Sequence, residues 1–252
     1  MAPTLREWLT EAPFALGMSS GFFAFFAHAG VLDLLEQQDL SPVRASGSSA
    51  GALVLGLWAG GLEAGQIGEE LGRLRRADFW DPAPGPGLLG GRRFRGRVEQ
   101  LLRVDTFEAT RIPLTVSAYD LLARRTRVLA SGHLARGICA SCAVPLLFHP
   151  VWIDRRPHVD GGVADRPGLA GVPPGTRLLF HHIASRSPWR RRAGRAMRIP
   201  SLPNMVTLII DGLPRVHPFA LERGVVARDL ARRAAAAALD RPIVDGQIQL
   251  VV

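Results

Sequence analysis

The stretch Val43-Arg44-Ala45-Ser46-Gly47-Ser48-Ser49-Ala50-Gly51-Ala52-Leu53-Val54-Leu55 decides the fold. Val43–Ser46 reads as a short strand, and an apolar helix runs from the far end of the stretch to about Ala59. Between them lies Gly47-Ser48-Ser49-Ala50-Gly51, a G-x-S-x-G turn. A strand that turns directly into a helix needs small residues there, because the central serine is held in a strained conformation and its neighbours approach closely. The turn lifts Ser49 to the sheet edge. It also puts the N–H of Ala50 at a helix N-terminus, where negative charge on an oxygen is favoured.

Working outward, Phe14–Met18 reads as a buried strand closed by the small residues Ser19–Gly21, and about Phe23 to Gln37 as a mostly buried helix. Strand, helix, strand, helix within sixty residues predicts a parallel α/β sheet. Further helices are expected near 63–76, 93–103 and 131–141, with a long amphipathic one over Ala220–Leu239. Ile112–Ala118 and Thr126–Ala130 read as strands joined by a turn at Ala123–Arg125, a hairpin added to the sheet. Leu178–His182 reads as another central strand and Gln247–Val252 as a final edge strand. No repeat and no linker is visible, so one domain over 1–252 is expected.

Composition bounds the function classes. The apolar fraction is 47% and the charged fraction 21%, as in ordinary globular proteins. The net charge is +9, carried by arginine without lysine. As a total it reads as compositional bias; local clustering of arginine is more informative. The two cysteines, Cys139 and Cys142, lack the second pair or histidine cluster of a zinc site and read as small core thiols. No carboxylate or histidine cluster has metal-ligand spacing, so no metal or cofactor is implied. Met1–Thr10 has no apolar run of signal-peptide length, and Phe22–Leu35 is short for a membrane span. A cytoplasmic protein with possible surface contact with membranes is expected.

A serine nucleophile needs a base. His133, His149, His158, His181, His182 and His217 follow the turn, none in a conspicuous loop context. Val159-Asp160-Gly161-Gly162 offers a different base: an aspartate at the end of an apolar stretch, before glycines that permit a tight turn. His28 reads as a packed core histidine and Asp120 as a structural turn residue.

Gly47-Ser48-Ser49-Ala50-Gly51-Ala52 together with Asp160-Gly161-Gly162 resembles the patatin-like phospholipase family. Three other segments resemble it in family order: Ala27-His28-Ala29-Gly30-Val31-Leu32; Ile112-Pro113-Leu114 with Ala118-Tyr119-Asp120-Leu121; and Ala140-Ser141-Cys142-Ala143-Val144-Pro145 with Phe148-His149-Pro150-Val151. The resemblance covers roughly residues 12 to 185. It implies a three-layer α/β/α sandwich with a mostly parallel central sheet in the patatin-like topology. It also implies a Ser49–Asp160 dyad and hydrolysis of lipid or other acyl esters through an acyl-enzyme. One departure stands out. Where the family has consecutive glycines and an arginine, this chain has Gly17-Met18-Ser19-Ser20-Gly21-Phe22-Phe23-Ala24, leaving the backbone of Gly21 and Phe22, with Ala50, as the expected oxyanion donors.

Arg186, Arg190, Arg191, Arg192, Arg195 and Arg198 surround Trp189. Arginines with an aromatic suit a phosphate-bearing surface, and with an ester substrate an anionic membrane outranks nucleic acid, for which no recognition motif is present. Two rivals to a lipid acyl hydrolase follow from the same residues. One is a soluble esterase or thioesterase for short acyl substrates; the other is a non-catalytic lipid-binding homologue whose oxyanion loop has decayed.

Overall fold

The structure is a computed structural model and describes residues 2–183 and 199–252. Its helices are α1 (Leu5–Glu11), α2 (Phe25–Gln37), α3 (Ala50–Ala59), α4 (Ala64–Gly72), α5 (Arg92–Leu101), α6 (Leu134–Ser141) and α7 (Arg223–Leu239). Its strands are β1 (Ala15–Met18), β2 (Arg44–Ser48), β3 (Gly87–Leu89), β4 (Leu114–Asp120), β5 (Arg125–Leu129), β6 (Leu146–Phe148), β7 (Val151–Ile153), β8 (Arg156–Asp160), β9 (Leu178–His182), β10 (Met205–Asp211) and β11 (Gln247–Val251).

The main sheet runs β11-β10-β9-β1-β2-β4-β8-β7, with β5 paired to β4. Every pair from β11 to β4 is parallel, whereas β8, β7 and β5 join antiparallel. The expected α/β class with a mostly parallel central sheet is the class observed. β1 and β9 are buried at every residue, as strands covered on both faces must be. Their pleat sends Leu16, Met18 and Leu179 into the larger core, beneath the helices. Ala15, Leu178 and Phe180 go to a smaller cluster on the other face, closed by Leu169 and Val172. α3 is buried along its whole length, which explains an apolar sequence with no polar stripe.

The expected hairpin is present, its register running from Val116–Leu129 to Asp120–Arg125. Asp120 closes its turn as expected: Oδ1 accepts from the N–H groups of Leu122 (2.9 Å) and Ala123 (2.8 Å), and Arg156 donates to Oδ2 at 2.5 Å. The Arg156 hydrogen bond, with the two amides behind it, holds this carboxyl well below the usual carboxylate range. Gln247–Val251 is the edge strand expected. α1, β3, β6, β7, β8 and β10 were not anticipated. The cluster of Arg186, Arg190, Arg191, Arg192, Arg195 and Arg198 with Trp189 lies outside the described residues.

Gly51 is where β1 meets α3. A Cβ built there would stand 2.1 Å from the Met18 carbonyl oxygen, a backbone atom that cannot swing aside. At Gly96 in α5 a Cβ would meet nothing within 4 Å. Gly96→Ala is therefore expected to stabilise by about 0.5–1 kcal/mol through helix propensity. Gly51→Ala is expected to destabilise by about 1–3 kcal/mol despite the same propensity gain. Denaturant unfolding of both variants checks the pair; equal shifts would contradict the close approach.

Candidate active site

One edge of β4 positions both candidate catalytic residues. β5 pairs with Val116–Asp120 and occupies the opposite edge, so β2 and β8 share the remaining one. β2 pairs in parallel as far as Ser48↔Ser117, and β8 pairs antiparallel from Ala118↔Asp160. The chain leaves β2 at Ser49 beside the point where β8 ends at Asp160. Their meeting follows from this register: the Ser49 Oγ donates to Asp160 Oδ2 at 2.6 Å.

Ser49 has φ 52° and ψ −114°, a left-handed region that a residue with a side chain rarely adopts. Several bonds hold it there. Its N–H donates to Ser141 Oγ (2.9 Å), and Ser141 Oγ in turn donates to the Ser117 carbonyl (2.7 Å). Its carbonyl accepts from Leu53 N–H (2.9 Å) and from Cys142 Sγ (3.2 Å). Asp160 is buried; its Oδ1 accepts from Gly162 N–H at 2.8 Å and its own N–H donates to the Ala143 carbonyl at 2.9 Å. Gly47 packs under the first turn of α3, and Gly161 sits against the Ser117 carbonyl. The predicted motif glycines Gly47, Gly51, Gly161 and Gly162 therefore all lie around the Ser49–Asp160 contact.

Ser141 and Cys142 were missed as site residues, although both stand in a segment that carried the family resemblance. They touch Ser49 across about ninety residues of chain, and nothing local marks that contact. The thiols stay protonated. Burial, then the Asp160 charge, pushes Cys142 well above the ordinary thiol value, and burial pushes Cys139 up to about 12. Cys142 can thus act as a weak S–H donor and offers no thiolate beside Ser49.

No histidine hydrogen-bonds Ser49 or Asp160 among the described residues. His149 and His158 contact the carbonyls of Gly87 and Arg156, His133 precedes α6, and His217 accepts from Phe219 N–H. His28 is the core histidine expected, but its partners give it a place near the site. Its Nε2 lies 2.8 Å from the Ser19 carbonyl, an acceptor, so Nε2 carries the proton. Its Nδ1 then accepts from His181 Nδ1–H at 2.9 Å. This buried pair holds the start of the loop that contains Gly21 and Phe22. The loop is also tied by Ser20 N–H to the Arg166 carbonyl (2.8 Å) and by Ile183 N–H to Ser19 Oγ (2.9 Å).

Within the loop Phe23 adopts φ 54°, a position suited to glycine. The N–H groups of Gly21 and Phe22 have no acceptor among the described residues, and Ala50 N–H opens α3 free of a side-chain cap. These three donors were the ones expected for an oxyanion. Among the described residues, no helix is long and apolar enough to cross a membrane.

A strained serine on a strand-to-helix turn, bonded to a buried aspartate at the edge of a mostly parallel sheet, defines the class as an α/β protein with a serine-hydrolase-type elbow. The family model for patatin-like phospholipases matches residues 16–171. The chain belongs to the patatin-like phospholipase family, whose chemistry at the family level is lipid hydrolysis. Uncharacterized NTE family proteins of Mycobacterium tuberculosis and Mycobacterium bovis are 32% identical to it over 161 residues, which is 63% of this chain. The matched region spans 45% of their length. The crystal structure of VipD from Legionella pneumophila shares the fold, with a TM-score of 0.54 at 14% identity, over 90% of this chain and 67% of that one.

The histidine pair predicts a stability change on the acid side. Burial, ahead of its neighbours, lowers His28 from 6.5 to about 4, and burial likewise lowers His181 and His182. A neutral histidine in the fold that charges on unfolding contributes stability present above about 6.5 and lost as the pH falls toward 4. For His28 the full loss is on the order of 3 kcal/mol. Calorimetry is expected to show the unfolding midpoint dropping across that window, with a shallower slope in His28→Gln. An equal slope in both would contradict the assignment.

Proposed function

We propose that this chain hydrolyses the acyl ester bonds of lipids with Ser49 as nucleophile and Asp160 as the base that activates it. The observation that carries this reading is the 2.6 Å bond from Ser49 Oγ to Asp160 Oδ2 at a strained elbow. As Ser49 Oγ attacks the ester carbonyl, its proton passes to Asp160 Oδ2 and then to the departing alkoxide, leaving an acyl-serine. A water then attacks the acyl carbonyl, giving its proton to Asp160 and returning Ser49 with the carboxylic acid released. The Ala50 N–H at the start of α3, with Gly21 and Phe22 across the loop, supplies donors for the carbonyl oxygen when it carries charge. Gly162 N–H fixes Asp160 Oδ1, so that Oδ2 remains aimed at the serine.

An acyl substrate also needs apolar surface. A cavity of about 340 Å³ opens beside Cys142, its walls shared between Phe94, Phe148, Val151 and Trp152 and the polar side chains of Arg95, Arg136 and His149. Its size falls in the range usual for small-molecule sites. The unengaged N–H groups of Gly21 and Phe22 favour a working oxyanion loop over a decayed one.

Ser49→Ala and Asp160→Asn are each expected to lower ester turnover by roughly 10⁴-fold or more, because the two act as one unit. His133→Ala and His149→Ala are expected to stay within about tenfold, less than a lost base typically costs. Turnover of a chromogenic acyl ester by folded variants checks both. Near-native turnover in Asp160→Asn would transfer the base to another residue and end the dyad reading.

A further inference from the structure

Leaving the loop of Gly21 and Phe22, a line of aromatic rings runs from the exposed Phe22 through the buried Phe79 toward the exposed Phe219. Phe22 meets Phe23 edge-on at 4.9 Å, and Phe23 meets Phe79 at 5.8 Å. The next residue, Trp80, lies 6.4 Å from Phe219. The Arg76 guanidinium sits 5.6 Å from the Trp80 ring and 5.2 Å from that of Phe219. Phe22 is 53% exposed and Phe219 70%, large values for rings that a monomer gains by hiding.

The charge beside this line is positive on balance. Arg75, Arg76, Arg92 and Arg93 form no ion pair among the described residues, whereas Arg73, Arg95 and Arg97 nearby all do. Two aspartates of this stretch hydrogen-bond backbone amides: Asp78 accepts from Arg75 N–H, and Asp81 accepts from the N–H groups of Gly91, Arg92 and Arg93. Two exposed aromatic rings beside guanidinium groups that form no ion pair among the described residues match the boundary of a bilayer, with rings at headgroup depth and cations among phosphates.

We propose that the surface from Phe22 to Phe219, with Arg76 and its neighbouring arginines, docks this chain on an anionic lipid bilayer. Phe22 decides for a bilayer over an acidic protein. It stands in the loop that carries the proposed oxyanion donors, so whatever covers the patch also lies against that loop, and a bilayer would bring ester substrate there. That choice of partner rests on the lipid-ester reading, but the docking itself does not require turnover. The residues are independent of the Arg190–Arg192 segment.

The test uses the full chain carrying Ser49→Ala, so that binding is read without hydrolysis. Vesicles of phosphatidylcholine with about one-third phosphatidylglycerol are compared with pure phosphatidylcholine. Arg76→Gln with Phe219→Ser, both at exposed positions, is expected to weaken binding to the anionic vesicles by roughly tenfold or more. In the chain with Ser49 intact, the same double substitution is expected to leave a short soluble ester turned over at the parent rate while vesicle hydrolysis falls. Equal vesicle binding by variant and parent, or equal parent binding to both vesicle types, would overturn the proposal. A matching fall in soluble-ester turnover would also overturn it, since the residues would then belong to the site. Intact binding with no hydrolysis of any ester would instead count against the proposed function.

Discussion

One edge of β4 serves two strands that run in opposite directions, and the site depends on where they change over. β2 ends its pairing at Ser117 and β8 begins at Ala118. Adjacent residues of β4 thereby bring together two chain segments more than a hundred positions apart. A one-residue slip in either pairing would turn Ser49 or Asp160 to the other face of the sheet, because side chains alternate along a strand. The parallel core of β9, β1 and β2 anchors this register, since it is buried on both faces and cannot slide without exposing apolar side chains.

Around that junction the buried thiol and the buried histidines are kept neutral. Cys142 holds its proton because of burial and the nearby Asp160 charge, and His28 and His181 lose theirs because of burial. Neither a thiolate nor an imidazolium therefore stands among them, whereas the Asp165 carboxylate accepts from Ser117 Oγ at 2.6 Å on the junction strand itself. The histidines still matter structurally, since the Ser19 carbonyl depends on His28 and the loop that follows carries the candidate oxyanion donors. A loop short of glycine, with Phe23 at φ 54°, needs such anchoring from outside itself.

Much of this was legible in the sequence where local rules suffice. β1 and β9 are apolar runs ended by small or polar residues, β2 is short and polar but leads straight into an elbow with glycines at fixed spacing, and the β4–β5 hairpin encloses a plain turn. The helices near α4 and α6 were expected longer than the observed Ala64–Gly72 and Leu134–Ser141, and helix ends are set partly by packing. What was missed fell into two kinds. β10 carries an apolar run, Met205-Val206-Thr207-Leu208-Ile209-Ile210, but it follows an arginine-rich stretch and was passed over. α1, β7 and β8 are short; α1 rests on a capping box between Thr4 and Glu7, and β8, with Arg156 and Pro157, exists through its pairing with β4 and β7. Likewise Ser141 and Cys142 meet Ser49 only once the sheet is assembled.

The most direct test of the central claim, that Ser49 is a nucleophile activated by Asp160 alone, is covalent labelling with a fluorophosphonate, which reports the activated serine without needing the substrate. Mass mapping is expected to find a single adduct, on Ser49, and the labelling rate is expected to fall by at least about 100-fold in Asp160→Asn. An adduct on another residue, or labelling of Asp160→Asn at the parent rate, would contradict the account.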